Sequence, residues 1–335
     1  MKMRAIGSSG IEASAIAFGA WAIGGWMWGG ADEGDAVKAL HEALDQGINF
    51  IDTAPIYGFG VSEEIVGKAL KGKRDKVVLA TKCGMVAGPK NGGVFKFRST
   101  ARGVSENGLL AIHQCNRPES IREEVELSLK RLQTDYIDLY QTHWQDSSTP
   151  IADTMGELMK LKEEGKIRAI GTCNATPDQL KEYAAAGQLD SDQEKYSMID
   201  RKIEDGNLPW ARENNAAVLA YSPLAMGLLT GKVTPDREFN EGDVRRGNPR
   251  FSVENREHVL AMLRAMQPYA DAHNCTIAQL VIAWTIHQPG LTHALCGARN
   301  PKQVKENVVA GQVDLSAEDV AGIDKIVSDY GAKVV

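Results

Sequence analysis

The chain's chemistry is concentrated in four residues: Asp52 and Tyr57 in Ile-Asp-Thr-Ala-Pro-Ile-Tyr-Gly, Lys82 in Leu-Ala-Thr-Lys-Cys-Gly, and His143 in Leu-Tyr-Gln-Thr-His-Trp. A carboxylate, a phenol, an ammonium and an imidazole form a complete set for delivering a proton to a carbonyl oxygen. A free phenol has a pKa near 10, so Tyr57 needs help to act as an acid at neutral pH. Lys82 can provide it, because a nearby ammonium favours the phenolate. Asp52 can fix the lysine by an ion pair and keep it protonated. His143 can donate a hydrogen bond that orients a substrate oxygen, or share the proton transfer. Taken singly, each has a plainer explanation: a structural salt bridge, a loop anchor beside Gly58, a satisfied core histidine. The ordered set favours catalysis.

Each of these residues lies just beyond a short apolar run that reads as a strand. Polar groups recurring at the carboxyl ends of successive buried strands imply one shared site at the top of a barrel. Eight candidate strands fit that plan: 15–19, 48–52, 77–82, 136–143, 167–173, 190–193, 217–222 and 294–297. Between them lie helical segments. In 118–132, Ile121, Val125, Leu129 and Leu132 fall on one face behind a Pro118-Glu119 start. Ser62 with Glu63 and Glu64 reads as a capped helix start, and Gly47 and Gly165 as helix ends. The expected fold is therefore α/β, a (β/α)8 TIM barrel over 1–335 as a single domain. Two long connections on the active-site face, 83–117 and 223–251, read as lids. An additional C-terminal helix is expected within 315–330, carrying Val320, Ile323 and Ile326.

Composition narrows the function. The chain has 335 residues, 43% hydrophobic, and a formal net charge of -6, which argues against a nucleic-acid binder. Its five cysteines, Cys83, Cys115, Cys173, Cys275 and Cys296, are scattered without metal-site spacing, so they read as reduced thiols in a cytoplasmic protein with no metal. The uncharged stretch 15–30 is shorter than the roughly 18 to 20 apolar residues needed to span a bilayer, and is read as a strand and a Gly/Trp-rich loop.

From Phe18-Gly19-Ala20-Trp21 to Gly297-Ala298-Arg299, the four stations resemble those of the aldo-keto reductase family in order and spacing. The resemblance implies Tyr57 as general acid, Lys82 and Asp52 as its tuning pair, and His143 as the carbonyl-orienting donor. No Gly-x-Gly-x-x-Gly follows a strand, so a Rossmann site is not expected. The family instead lays a nicotinamide dinucleotide across the barrel top. By resemblance, Gly19, Ala20, Trp21 and Asp52 border it, Asn174 and Gln193 bind its carboxamide, and Tyr221 stacks on its ring. Ser222, Leu224, Gly227 and Lys232 match the loop over the pyrophosphate, and Gly297, Arg299, Gln303, Glu306 and Asn307 match the adenosine-end motif. Arg299 suits the 2′-phosphate of NADP, whereas Gln303 replaces a second arginine of some branches and leaves NADH open. Cys173 and Ala175 flank Asn174 where Ser and Phe are usual, and Gln145 follows His-Trp where Pro is usual.

Trp21, Trp26, Trp28 and Trp144, with Tyr57 and His143, are the expected substrate contacts. The implied activity is NADPH-dependent reduction of aldehydes or ketones, sugar-derived or aromatic, to alcohols. The expected partner is the small-molecule carbonyl, with no nucleic acid or membrane, in a monomer or weak homo-oligomer. Two alternatives compete: an NADP-binding regulatory subunit of the same fold, and a barrel lyase or isomerase using Lys82 as a Schiff-base amine.

Overall fold

Eight short parallel strands close on one another in sequence order: Ile16–Gly19, Phe50–Asp52, Val78–Cys83, Ile137–Thr142, Ile167–Cys173, Ser191–Lys195, Ala217–Tyr221 and His293–Gly297, the last pairing with the first. This computed structural model describes residues 1–88, 93–100 and 109–331. A helix follows each strand before the chain returns to the next, which is the β/α repeat of a TIM barrel.

The strands' period of two builds the site. On the second strand Phe50 and Asp52 point into the barrel, while Ile51 packs outward against the helices. On the third, Val78 and Ala80 point inward below Lys82, while Leu79 and Cys83 face out. The interior is therefore filled in layers. Ala17, Phe50, Val78, Ala80, Leu139, Ala169, Leu219 and Leu295 form an apolar lower layer. Above it lies a polar layer of Asp52, Lys82, Gln141 and Gln193, linked by hydrogen bonds.

A hairpin, Met3–Ala5 paired with Glu12–Ser14, forms the barrel floor, where Ile6, Ile11 and Ala13 join the inner core. Arg4 fixes it to the far end of the chain by donating to the carbonyls of Ile286, Leu291 and Thr292.

The helix Pro118–Leu132 has the bounds read from sequence and buries Ile121, Val125 and Leu132. The reading of Ser62 as a cap is corrected. The helix Val61–Ala69 starts after Gly60, and Ser62 lies inside its first turn, fully buried, donating to the carbonyl of Ala20 and sharing a hydrogen bond with Thr53. Its hydroxyl ties two loops of the barrel top together instead of satisfying the helix end.

The connection 83–117 is also more ordered than a plain loop. Met85–Ala87, Val94–Thr100 and Leu109–Gln114 form an antiparallel three-stranded sheet, and 89–92 and 101–108 lie outside the described residues. The connection 223–251 carries short 3-10 turns at Ala225–Thr230 and Pro249–Phe251 and bridges back to the first loop through Trp28 and Asp243. The C-terminal helix spans Ala317–Gly331 and packs on Val253–Ala265.

Candidate active site

Asp52 pairs with Ala80 in register, and Lys82, two residues further on, points the same way into the barrel, so the long lysine side chain meets the carboxylate. The Lys82 ammonium donates to Asp52 Oδ2 at 2.6 Å and to the Thr53 carbonyl at 2.9 Å, fully buried. Asp52 Oδ1 accepts from Gln193 at 2.9 Å and from Gln141 at 3.2 Å. Burial alone would lower the pKa of Lys82, but the charges of Asp52 and Tyr57 and the bond to Asp52 outweigh it. The net shift is upward, so the lysine is a fixed cation.

Tyr57 stands above that pair, its ring centre 5.1 Å from the Lys82 nitrogen and 5.7 Å, edge to face, from the His143 ring. Two glycines set its loop: a side chain at Gly24 would strike the Tyr57 carbonyl, and one at Gly58 would strike the carbonyl of Gly24. Burial pushes the Tyr57 phenol up to about 12, although Lys82 acts to lower it. The tuning expected of Lys82 thus has the expected sign but does not prevail over desolvation in the protein alone. Burial and the charges of Lys82 and Lys96 hold His143 well below the ordinary imidazole range. His143 is neutral at physiological pH, and its Nδ1 has no hydrogen-bond partner in the protein.

One cavity of about 660 Å³ connects these groups to the rest. Every candidate catalytic, cofactor or substrate contact read from sequence lines it except Lys82, which supports the wall from behind. At its middle, Asn174 donates to the His143 carbonyl at 2.9 Å and accepts from the Tyr221 hydroxyl at 2.8 Å. Along the next wall Ser222, Ala225, Met226 and Gly227 have φ of 57°, 47°, 55° and 93°. Left-handed conformations at three non-glycine positions are strained, and such strain clusters at functional sites. At the far end Lys232 pairs with Glu306, joining the 223–251 connection to the helix Pro301–Ala310. The Arg299 guanidinium is half-buried and forms no salt bridge with a carboxylate among the described residues, although its charge acts on Asp243. Its backbone N–H donates to Gln303 at 2.8 Å, and Asn307 donates to the carbonyl of Gly297.

Trp21 stacks beside Tyr57 and meets Trp28 edge to face, while Trp26 stacks on Phe97 of the inserted sheet.

Sequence reasoning missed several features. Gln141 lies opposite Lys82 in register, so strand alternation from Leu139 could have found it. Lys96, Arg237 and Arg245 reach the cavity from the two long connections, where no periodicity marks them. A second buried cluster lies behind Asn174. Glu194 accepts from the Ala175 N–H at 2.7 Å, and Asn207 bridges the Ala175 carbonyl to Asp192. Burial pushes both carboxyls up, and the charge of Asp192 drives Glu194 further, so the pair holds a proton well above the ordinary carboxylate range. The peptide next to Asn174 is clamped on both sides.

Among the described residues, no His/Cys/Asp/Glu cluster could hold a metal, and no helix is long and apolar enough to cross a membrane.

Comparison with known proteins meets this geometry. The model of the "Aldo/keto reductase family" matches residues 15–328. The NADH-specific methylglyoxal reductase of Escherichia coli (strain K12) is 45% identical over 287 residues, covering 84% of this chain and 84% of that protein. Aldo-keto reductase YhdN of Bacillus subtilis (strain 168) is 41% identical over 332 residues, covering 98% of this chain and 94% of that one. Among solved structures, the glycerol dehydrogenase AKR11B4 from Gluconobacter oxydans superposes with a TM-score of 0.85 at 39% identity, covering 99% of this chain and 97% of that one.

Proposed function

The chain belongs to the aldo/keto reductase family, and from that premise we propose an NADPH-dependent reductase of small aldehydes and ketones in which Tyr57 is the general acid. Carbonyl reduction with a nicotinamide dinucleotide is the family's chemistry, and the chain is an oxidoreductase. The observation that carries the finer reading is the stack of Tyr57 over a fully buried Lys82–Asp52 pair, beside a neutral His143, on the wall of one large cavity.

When bound, the dinucleotide supplies the hydride. The cavity suits it: Tyr221 offers a ring face, Asn174 a side-chain amide, and Arg299 an unpaired cation. Gln193 lies in the same wall, held by Asp52. The Tyr57 hydroxyl delivers the proton to the substrate oxygen. Neutral His143 donates a hydrogen bond to that oxygen and orients it. Lys82 stabilises the phenolate left behind, and Asp52 keeps Lys82 charged and in place. Gly19, Ala20 and Trp21 form the adjoining rim, and Trp26, Trp28 and Trp144 exclude water around the carbonyl.

Lys82 does not reach the cavity wall, and its ammonium is engaged by Asp52 and Thr53, which tells against a Schiff-base role. For the cofactor, a relative named NADH-specific sets a real alternative, and the preference for NADPH rests on Arg299. Oxidation of NADPH and of NADH with a panel of small aldehydes tests the proposal. Absence of turnover with both would end it.

A further inference from the structure

We propose that this cavity selects carbonyl substrates bearing an anionic group near the carbonyl, and that Lys96 is the residue that binds the anion. The proposal rests on the reductase reading above and specifies its substrate class.

Lys96 projects from the inserted strand Val94–Thr100 into the cavity, on the wall that carries His143 and Trp144. Its ammonium stands 3.2 Å from the centre of the Trp144 ring. A ring face attracts the charge but offers no lone pair to the three N–H donors of an ammonium. Among the described residues, no carboxylate pairs with Lys96. Among the cavity's other cations, Arg299 also lacks a carboxylate salt bridge but lies at the far end, and the rest are engaged or solvated. Lys232 pairs with Glu306, and Arg245, which also lies over an indole ring, is held by both oxygens of Asp243. Arg237 is exposed to water. At the carbonyl end of the cavity, Lys96 is left as a partly desolvated cation with donors to spare, and burial lowers its pKa from the ordinary value. Its field also reaches His143. One small molecule can therefore place its carbonyl oxygen at Tyr57 and His143 and its anion at Lys96.

A carboxylate and a phosphate monoester share the required chemistry, and the experiment separates them. Steady-state kcat/KM is measured for succinic semialdehyde, glyceraldehyde 3-phosphate and neutral glyceraldehyde, in the wild type, Lys96→Met and Lys96→Arg. The wild type is expected to favour at least one anionic aldehyde over glyceraldehyde, mainly through KM. Lys96→Met should lower that ratio about ten-fold or more, Lys96→Arg should restore most of it, and added salt should raise KM for the anionic aldehyde alone. A wild type that reduces glyceraldehyde without favouring either anion, or a ratio unchanged in Lys96→Met, overturns the proposal and leaves the reductase reading intact. If no aldehyde is reduced, the reductase reading fails instead. Succinate, which cannot be reduced, then still decides the anion site through its quenching of tryptophan fluorescence: binding lost in Lys96→Met supports the site, and equal binding in both proteins refutes it.

Discussion

The two ends of the cavity are built on opposite principles. At the carbonyl end, the ion pair Lys82–Asp52 is 0% and 3% exposed, fixed by strand register and two glutamines. At the far end, Lys232–Glu306 is 64% and 22% exposed and joins a long connection to a helix. A buried pair is costly to break and slow to rearrange, whereas a surface pair contributes about 0–1 kcal/mol and is readily opened. The difference sets a carbonyl end fixed by the barrel against a far end whose joint is readily opened.

Lys82→Met tests the rigid end most severely. It leaves Asp52 buried without its cation, so unfolding free energy should fall by about 3–5 kcal/mol in urea titrations. Adding Asp52→Asn should recover part of that loss, and simple additivity of the two changes would show that the residues are not coupled. Tyr57→Phe separates chemistry from structure: kcat should fall by about 10²–10⁴-fold with stability and dinucleotide affinity nearly unchanged. Retention of more than roughly a tenth of wild-type kcat would remove Tyr57 from its role.

Arg299→Ala addresses the far end. Loss of a charge-assisted contact worth about 1.5–3 kcal/mol should raise the Kd for NADPH by roughly ten-fold or more and barely alter that for NADH. Equal losses for both would place Arg299 at the adenine or in the fold. Glu194 gives a pH test of the clamp behind Asn174. Its folded-state pKa is raised to about 10, so its contribution is full below the ordinary carboxylate range and is lost as pH rises towards 10. Glu194→Gln should therefore gain stability relative to the wild type as pH rises from 5 to 9, and a constant difference in melting temperature would contradict this. Lys232→Met should have the smallest effect, a few-fold faster dinucleotide release in stopped-flow with the melting temperature almost unmoved.

The contrast also explains what could be read from sequence. Strand ends are short-range objects: an apolar run, a polar residue at its end and a period of two suffice to place Asp52, Lys82 and His143, and eight such runs imply the barrel. Ser62 was misread because a hydroxyl before two glutamates matches a cap locally, while the partner that captured it, the carbonyl of Ala20, is 42 residues away. Lys96 and Arg245 had no local sign, because they enter the cavity from long connections whose course depends on the finished barrel. Glu194 was hidden for a similar reason. Alternation puts it on the outer face of its strand, and its burial there, beside the carboxyl of Asp192, is what changes its protonation.

The hairpin that floors the barrel carries a consequence for biosynthesis. Its residues leave the ribosome long before their partners, since Arg4 binds carbonyls at 286, 291 and 292, and the inner core it closes includes Leu295. Contacts so distant along the chain form slowly, and exposed apolar surface invites aggregation until they do. A nascent chain must therefore carry Ile6 and Ile11 unsheltered until the segment around Leu295 has been made. Production of this protein should consequently be more sensitive to chaperone supply and growth temperature than the stability of the finished barrel would suggest.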